Sequence, residues 1–405
     1  MKSVRKDSGI DRRQFLAATG AGLLAASVPV AAKAVSSTAL SGSPSASGLD
    51  GAGAAETASM GSSMGHVAGA SAGAGRAPGG GRSLRKIPIG VFDPVYDKLS
   101  LDEMLDVVSG LGMEAMEIGT GGYPHNPHCP LDDLIADPVK AKAWKRKFED
   151  KGIQVATLSC HGNPVHPNAA HAAQDADTFR KTVRLAEMID VKVIVTFSGC
   201  PGGTPTDAQP NWITYRWPPE YGEMLDWQWK EKLIPYWKDA AKFARDHGLH
   251  RIALEMHPNF AVYNPRTLMK LREAVGEEIG ANNDLSHLFW QGCDPVEVIH
   301  FLGKQGAIYH AHMKDTVMFP DNVAKYGVLN FAPDLAGLPQ ASETFRAVGY
   351  GHGAAVWKTI LQAYMDVGYE GILSIENEDP ILPGPIGVER AVYVLKNVRN
   401  ELLDM

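Results

Sequence analysis

From Lys86 onward the apolar residues fall into short runs that become polar or reach glycine at their C-terminal side. Each run is followed by a stretch with apolar residues three and four apart. Short runs rich in Val, Ile, Leu and Ala read as buried strands, and the spaced stretches as amphipathic helices. The strands expected are Ile87–Phe92, Ala115–Gly119, Gln154–Cys160, Val193–Ser198, Arg251–Met256, Ile279–Asp284, Ala307–Met313 and Gly371–Glu376. The helices expected are Leu101–Leu111, Val139–Lys151, Asp175–Ile189, Trp229–Asp246, Pro265–Val275, Pro295–Leu302, Ala355–Val367 and one near Glu389–Leu402. Ser100, Asn264-Pro265 and Asp294-Pro295 supply caps and first-turn prolines, while Gly152, Gly248 and Gly368 stand just past helix ends. Eight strands alternating with eight helices over roughly 320 residues predict one closed (β/α)8 barrel. A doubly wound open sheet is the alternative, but the first strand leads into Phe92-Asp93-Pro94-Val95, which is no glycine-rich phosphate turn.

The seventh strand carries an unusual pattern. In Ile308-Tyr309-His310-Ala311-His312-Met313-Lys314-Asp315, strict alternation puts His310, His312 and Lys314 on one face and Tyr309, Ala311 and Met313 on the other. Two long segments follow strands and so fall at the barrel's mouth: 198–227, with Trp212, Trp217 and Trp227, and 316–352, with Tyr326, Phe331 and Phe345. Such aromatics either pack on sugar rings or anchor their own loops, and the sequence leaves both open.

Composition changes the picture mainly at the N-terminus. Asp11-Arg12-Arg13-Gln14-Phe15-Leu16 precedes an Ala/Gly/Leu/Val-rich run, and Ala32-Lys33-Ala34 offers small residues for cleavage. Residues 1–34 resemble a twin-arginine signal peptide, with Asp11 where Ser or Thr is usual; the resemblance implies engagement of the twin-arginine export machinery and a periplasmic location. Residues 35–83, almost entirely Gly, Ala and Ser, are expected to be a disordered tether, leaving 84–405 as the folded domain. The whole chain carries −7, and the leader holds six basic against two acidic side chains, so the remainder carries −11. That balance, without a basic run, argues against nucleic acid as a partner, and no stretch is long and apolar enough for a stable membrane span after processing. Self-association is left open. The four cysteines, Cys129, Cys160, Cys200 and Cys293, have no framework spacing and are expected to be mostly free thiols; Cys160 and Cys200 follow neighbouring strands and are the one candidate pair.

Active sites of barrels lie where the strands end. Here the fifth ends in Leu254-Glu255-Met256-His257, the sixth in Asp284-Leu285-Ser286-His287, the eighth in Ser374-Ile375-Glu376-Asn377-Glu378, and the third in Cys160-His161. Carboxylates and imidazoles gathered at one mouth repel unless a cation sits among them. Two Glu, one Asp and one His suit a single divalent metal ion (Mn, Fe, Co, Zn or Mg), and without a Cys-x-x-Cys pattern a structural zinc is not indicated. His310 lies one layer deeper and reads as a hydrogen-bonded structural histidine; His257 and His161 read as pocket wall, proton relay or ligand support; His125, His128 and His352 read as ordinary loop residues.

Glu255 in Leu-Glu-Met-His-Pro, Asp284 and His287 in Asp-x-x-His, His312 in His-x-His-x-Lys-Asp and Glu376 in Ser-Ile-Glu-x-Glu resemble the signature of the sugar phosphate isomerase/epimerase group of the xylose isomerase-like TIM barrel superfamily. The resemblance covers Ile87–Leu403. It implies that Glu255, Asp284, His312 and Glu376 are metal ligands, that Glu255 and Glu376 form the acid/base pair, and that His287 touches substrate hydroxyls. Lys314 stands near where epimerases use an arginine. The function expected is a divalent-metal-dependent isomerase or epimerase working through an enediolate on a small-molecule carbohydrate. Export and the lack of a phosphate-cradling loop favour an unphosphorylated sugar or keto-sugar. A metal-dependent lyase, hydrolase or dehydratase of keto-glycosides or inosose-like polyols is the alternative, and a non-catalytic sugar-binding protein a third reading.

Overall fold

The structure is a computed structural model and describes residues 86–332 and 335–405. The expected leader (1–34) and tether (35–83) lie outside the described residues. Strands β1 (Ile89–Phe92), β2 (Ala115–Gly119), β3 (Gln154–Ser159), β4 (Val193–Phe197), β5 (Arg251–Glu255), β6 (Ile279–Asn282), β7 (Ile308–Met313) and β10 (Leu373–Ile375) close into a parallel barrel. Neighbours follow chain order from β1 to β7, and β10 seals the gap between β7 and β1. Several strands stop short of their expected ends because the terminal polar residues, Asp284 and Glu376 among them, leave the ladder for the mouth.

The helices start where the capping chemistry places them. Ser100 and Glu103 form a reciprocal capping box before Leu101–Gly110. The Asn264 side chain accepts from Thr267 N at 3.0 Å ahead of Pro265–Val275. Asn168 caps Ala169–Ile189, which therefore begins well before the expected Asp175. The stretch read as one helix from Trp229 is a π turn, Gln228–Leu233, followed by Ile234–Asp246; Pro235 has no N–H to donate, so the regular ladder cannot run through it. Part of the supposed loop 198–227 is helical, Pro219–Trp227.

Leu105, Leu254, Trp357 and Tyr364 are among the fully buried residues of the layer between barrel and helices. Each large side chain so buried contributes about 1.5–3 kcal/mol. Inside the barrel, Val193, Val195 and Ala253 form a small apolar cluster with Tyr309 packed on it. Strict alternation in β7 had set Tyr309 away from the histidine face, and a bulge corrects this. Ala281 pairs with Ile308 but Asn282 with His310, leaving Tyr309 as the extra residue. Gly280 accommodates the ring, since a Cβ there would lie 2.3 Å from Tyr309 Cδ2. All four cysteines are free, Cys160 and Cys200 included.

The long segment 316–352 is also built. Strand β7 passes through Lys314 directly into β8 (Asp315–Met318), which pairs antiparallel with β9 (Glu343–Arg346) outside the barrel. Asp315 fixes its base: Oδ2 accepts from Gly349 N, Gly351 N, His352 N and Trp357 Nε1, and Oδ1 from Thr316 N, with His352 Nδ1 2.7 Å away. His352 is thus part of a clamp rather than an ordinary loop residue. His128 likewise is buried, its Nδ1 2.7 Å from Asp93 Oδ2.

Candidate metal centre and substrate cavity

Glu255 ends β5, His312 lies near the end of β7, and Asp284 and Glu376 stand just beyond β6 and β10. Ligand atoms from these four side chains lie within 4.8 Å of one another. Nδ1 of His312 is 3.4 Å from Glu255 Oε2, 3.1 Å from Glu376 Oε2 and 3.9 Å from Asp284 Oδ2. Asp284 divides its duties: Oδ1 accepts from Ser286 N at 2.9 Å, starting the turn Ser286–Phe289 that carries His287, while Oδ2 faces the cluster, 3.0 Å from Lys314 Nζ.

Three carboxylates here meet the His312 ring, which Glu117 and Glu376 hold protonated well above its usual range against burial, and the ammonium of Lys314. Its Nζ is 2.6 Å from Glu376 Oε2, 2.9 Å from Glu378 Oε2 and 3.0 Å from Asp284 Oδ2, and the side chain is buried. Burial opposes its charge, but Asp284, Glu376 and Glu378 outweigh burial and hold the ammonium protonated well above its usual range. Burial likewise pushes the Glu255 carboxyl up, and His161, His287 and His312 more than reverse the effect. For Glu376, Lys314 and His312 do the same. The centre therefore holds ionised carboxylates in excess of fixed positive charge, with Asp284 Oδ2 aimed into it. Such a donor set fits a divalent cation, held by Glu255, Asp284, His312 and Glu376.

The residues behind the cluster were not singled out in the sequence. Glu117, fully buried in β2, lies 2.9 Å from His312 Nε2 and 2.7 Å from His310 Nε2; it also accepts from Ser374 Oγ at 2.7 Å and from Ser159 Oγ. Burial alone would raise its carboxyl, and the two imidazoles hold it well below the usual range. A lone glutamate within Ala-Met-Glu-Ile-Gly, an otherwise apolar strand, is the signal that could have found it. Asn282 donates from Nδ2 to Glu255 Oε2 at 3.0 Å.

The expected substrate contacts line the space above. His161 Nε2 is 3.2 Å from Glu255 Oε2. His287 Nε2 is 3.3 Å from Glu255 Oε1 and 3.4 Å from Asp284 Oδ2, yet neither nitrogen of this buried ring has a hydrogen-bond partner. The His257 ring packs 4.2 Å from that of His287, its Nδ1 is 2.6 Å from Pro258 O, and burial beside His287 pushes it down to about 3, which keeps it neutral. From β9 the hairpin adds Glu343, whose Oε2 is buried without a partner and whose carboxyl burial pushes up to about 7 against the pull of His287 and Lys314. Sequence reasoning missed Glu343 because the hairpin was read as loop.

A closed parallel barrel with three carboxylates and a histidine converging at its strand ends defines a TIM barrel with a candidate divalent-metal site. Residues 105–398 match the xylose isomerase-like TIM barrel family, and the chain belongs to that family. It is 37% identical over 300 residues, 74% of its length and 95% of the relative's, to the uncharacterised protein YfiH of Bacillus subtilis (strain 168). Among solved structures it resembles a D-tagatose 3-epimerase-like protein (19% identity, TM-score 0.53, covering 78% of this chain and all of that one). It also resembles the IOLI protein with a binding zinc atom (18% identity, TM-score 0.51, covering 78% and 98%). At such identities these likenesses establish the fold.

Proposed function

We propose that this protein is a divalent-metal-dependent sugar isomerase or epimerase that acts through an enediolate on an unphosphorylated sugar or keto-sugar. The observation that carries the reading is the convergence of Glu255, Asp284, His312 and Glu376 on one buried point open to a cavity. The epimerase-like and zinc-binding structural neighbours support it. A divalent cation bound there would polarise a substrate carbonyl and offset the negative charge that grows on its oxygen. The chain's own residues do the rest. Glu255 and Glu376, flanking that point, take a proton from the carbon beside the carbonyl and return one. His287, with unpartnered ring nitrogens, orients a substrate hydroxyl, and His161 and His257 form the adjoining wall. Lys314 holds Asp284 and Glu376 in place and presents its ammonium beside the reacting oxygens.

Elimination is the second reading, because the buried, unpartnered carboxyl of Glu343 is a proton donor of the kind a leaving group needs. Proton NMR in deuterated buffer tests both: incubation with sugars and keto-sugars should exchange a C–H proton in a metal-dependent way, and Glu376→Gln should abolish the exchange. Undiminished exchange after chelation would sink the metal mechanism.

A further inference from the structure

Two chambers meet at the strand ends. The smaller, about 190 Å³, lies against Glu255, Lys314 and Glu376. The larger, about 920 Å³, extends past His287 and Phe345 to Trp290 and Phe331. Tyr123, His161, Phe197, His257 and Glu378 belong to both walls, so the two are ends of one space. At about 30 Å³ per water the inner end holds roughly six waters, the scale of a single sugar ring. The outer end falls in the range of about 300–1,000 Å³ typical of pockets that enclose much larger ligands. A free monosaccharide would leave it to water.

The outer chamber's surface says what could fill it. Part of its polar wall is engaged by the protein itself, while Trp212 Nε1, both His287 nitrogens and Glu343 Oε2 are buried there without partners. Asn163 donates to Cys200 O at 2.9 Å and accepts from Cys200 N at 3.0 Å. Asp175 accepts from Asn163 N at 2.6 Å and faces His171 Nε2 at 3.1 Å, and His166 Nδ1 accepts from Asn168 N at 2.9 Å. The facing wall is apolar: Phe331 is 55% exposed and Leu329 74%, and the Phe331 and Phe345 rings lie 6.1 Å apart. Phe345 continues the wall inward, its ring 5.3 Å from that of His287 and 4.8 Å from Lys314 Nζ. Against Leu329, Phe331 and Phe345 a second sugar would bring hydroxyls to carbon atoms that offer them no partner, and unpaired polar groups are costly. A flat apolar ring would cover the exposed phenylalanines without that cost.

We infer that the substrate is a keto-glycoside, its ring ketone supplying the carbonyl an enolising site needs, whose oxidised sugar occupies the inner chamber and whose aromatic aglycone lies in the outer one against Phe331 and Phe345. Glu343, on the same strand face as Phe345, supplies an unpartnered carboxyl oxygen to the wall of the larger chamber. The inference rests on the sugar-enolising reading of the inner site and adds a second subsite to it.

The test uses matched methyl and 4-nitrophenyl keto-glycosides derived from glucose, galactose, mannose and xylose. Binding to the full-length protein is measured by calorimetry, both loaded with Mn²⁺ and after chelation, with saturation-transfer NMR on the same samples. For every sugar that binds, the aryl member should bind at least tenfold more tightly, about 1.4 kcal/mol, with its aryl protons the most strongly saturated. Phe331→Ala should bring the ratio below threefold, whereas Tyr326→Ala, an exposed position outside the chamber, should leave it at tenfold. A wild-type ratio below fivefold, no aryl glycoside binding in the panel, or a preference that survives Phe331→Ala overturns the inference. Aryl preference without any metal-dependent C–H exchange would refute the enolising function and keep the subsite; exchange without aryl preference would do the reverse.

Discussion

Oε2 of Glu117 lies 2.9 Å from Nε2 of His312, while Nδ1 of the same ring faces Glu255, Asp284 and Glu376. One carboxylate on the far side of the barrel thus fixes which nitrogen the cluster sees. Partners of this kind typically contribute 10- to 100-fold to metal affinity. Glu117→Gln, which preserves volume, should weaken Mn²⁺ binding by about that factor. Competition with a fluorescent chelator reads it, and unchanged affinity would show that Glu117 only fills the barrel.

Glu343 gives the protein a pH-dependent stability. The folded state holds its proton up to about pH 7, whereas an ordinary glutamate releases it near 4.5. The proton therefore stabilises the fold fully below pH 4.5, and that contribution drains away as pH rises to 7. At about 1.4 kcal/mol per pH unit the loss is on the order of 3 kcal/mol. His287 and Lys314, which face Glu343 from the turn Ser286–Phe289 and the end of β7, act to lower this pKa and limit the effect. Denaturant melts at pH 5 and 8 should show Glu343→Gln gaining on the wild type as pH rises. A pH-independent difference would mean that Glu343 is solvated or paired.

Lys314 and a cation held at this site would share the work of neutralising Asp284 and Glu376. Removing one partner of a buried charge cluster costs about 3–5 kcal/mol. Lys314→Met should therefore lower stability by about that much in chelated protein. Saturating Mn²⁺ should recover a substantial part of the loss. Thermal unfolding with and without the metal measures this, and an equal deficit in both states would separate Lys314 from the cation site.

The N-terminal reading makes a cellular prediction. If Arg12 and Arg13 direct the chain to twin-arginine export, Arg12→Lys with Arg13→Lys should keep it in the cytoplasm. Cell fractionation followed by immunoblotting decides; normal periplasmic accumulation of the double variant would refute the route.

The strands were legible because an apolar run closed by polar residues has little other use in a barrel of this kind. Glu255, Asp284, His312 and Glu376 were legible for the same reason: each stands where a strand gives out. What stayed hidden depends on contacts across the fold. Glu117 matters because His310, His312 and Ser374 meet it from the other side of the barrel, which no local pattern records. Tyr309 violates alternation because of a one-residue bulge against β6, set by the room at Gly280. Glu343 was lost because β8 and β9, only four residues each, sit within a long stretch that otherwise reads as loop.

The hairpin that carries Glu343 and Phe345 leaves and rejoins the framework at a single place. Asp315 pairs with Arg346 at its base, Asp315 anchors Gly349, Gly351 and Trp357, and Arg346 donates to Asp379 Oδ2 at 2.9 Å. Strands β8 and β9 hang from that knot, with further ties where Thr316 Oγ1 donates to Ser286 O at 2.9 Å and Phe345 packs on His287. The segment is a ceiling that could be exchanged: one of another length would alter which molecules fit beneath while Glu255, Asp284, His312 and Glu376 stay at the ends of the barrel strands, though it would take Glu343 with it. Much of what would set selectivity thus lies on a length of chain separate from the four converging side chains, and evolution or an engineer could revise the first while leaving the second alone.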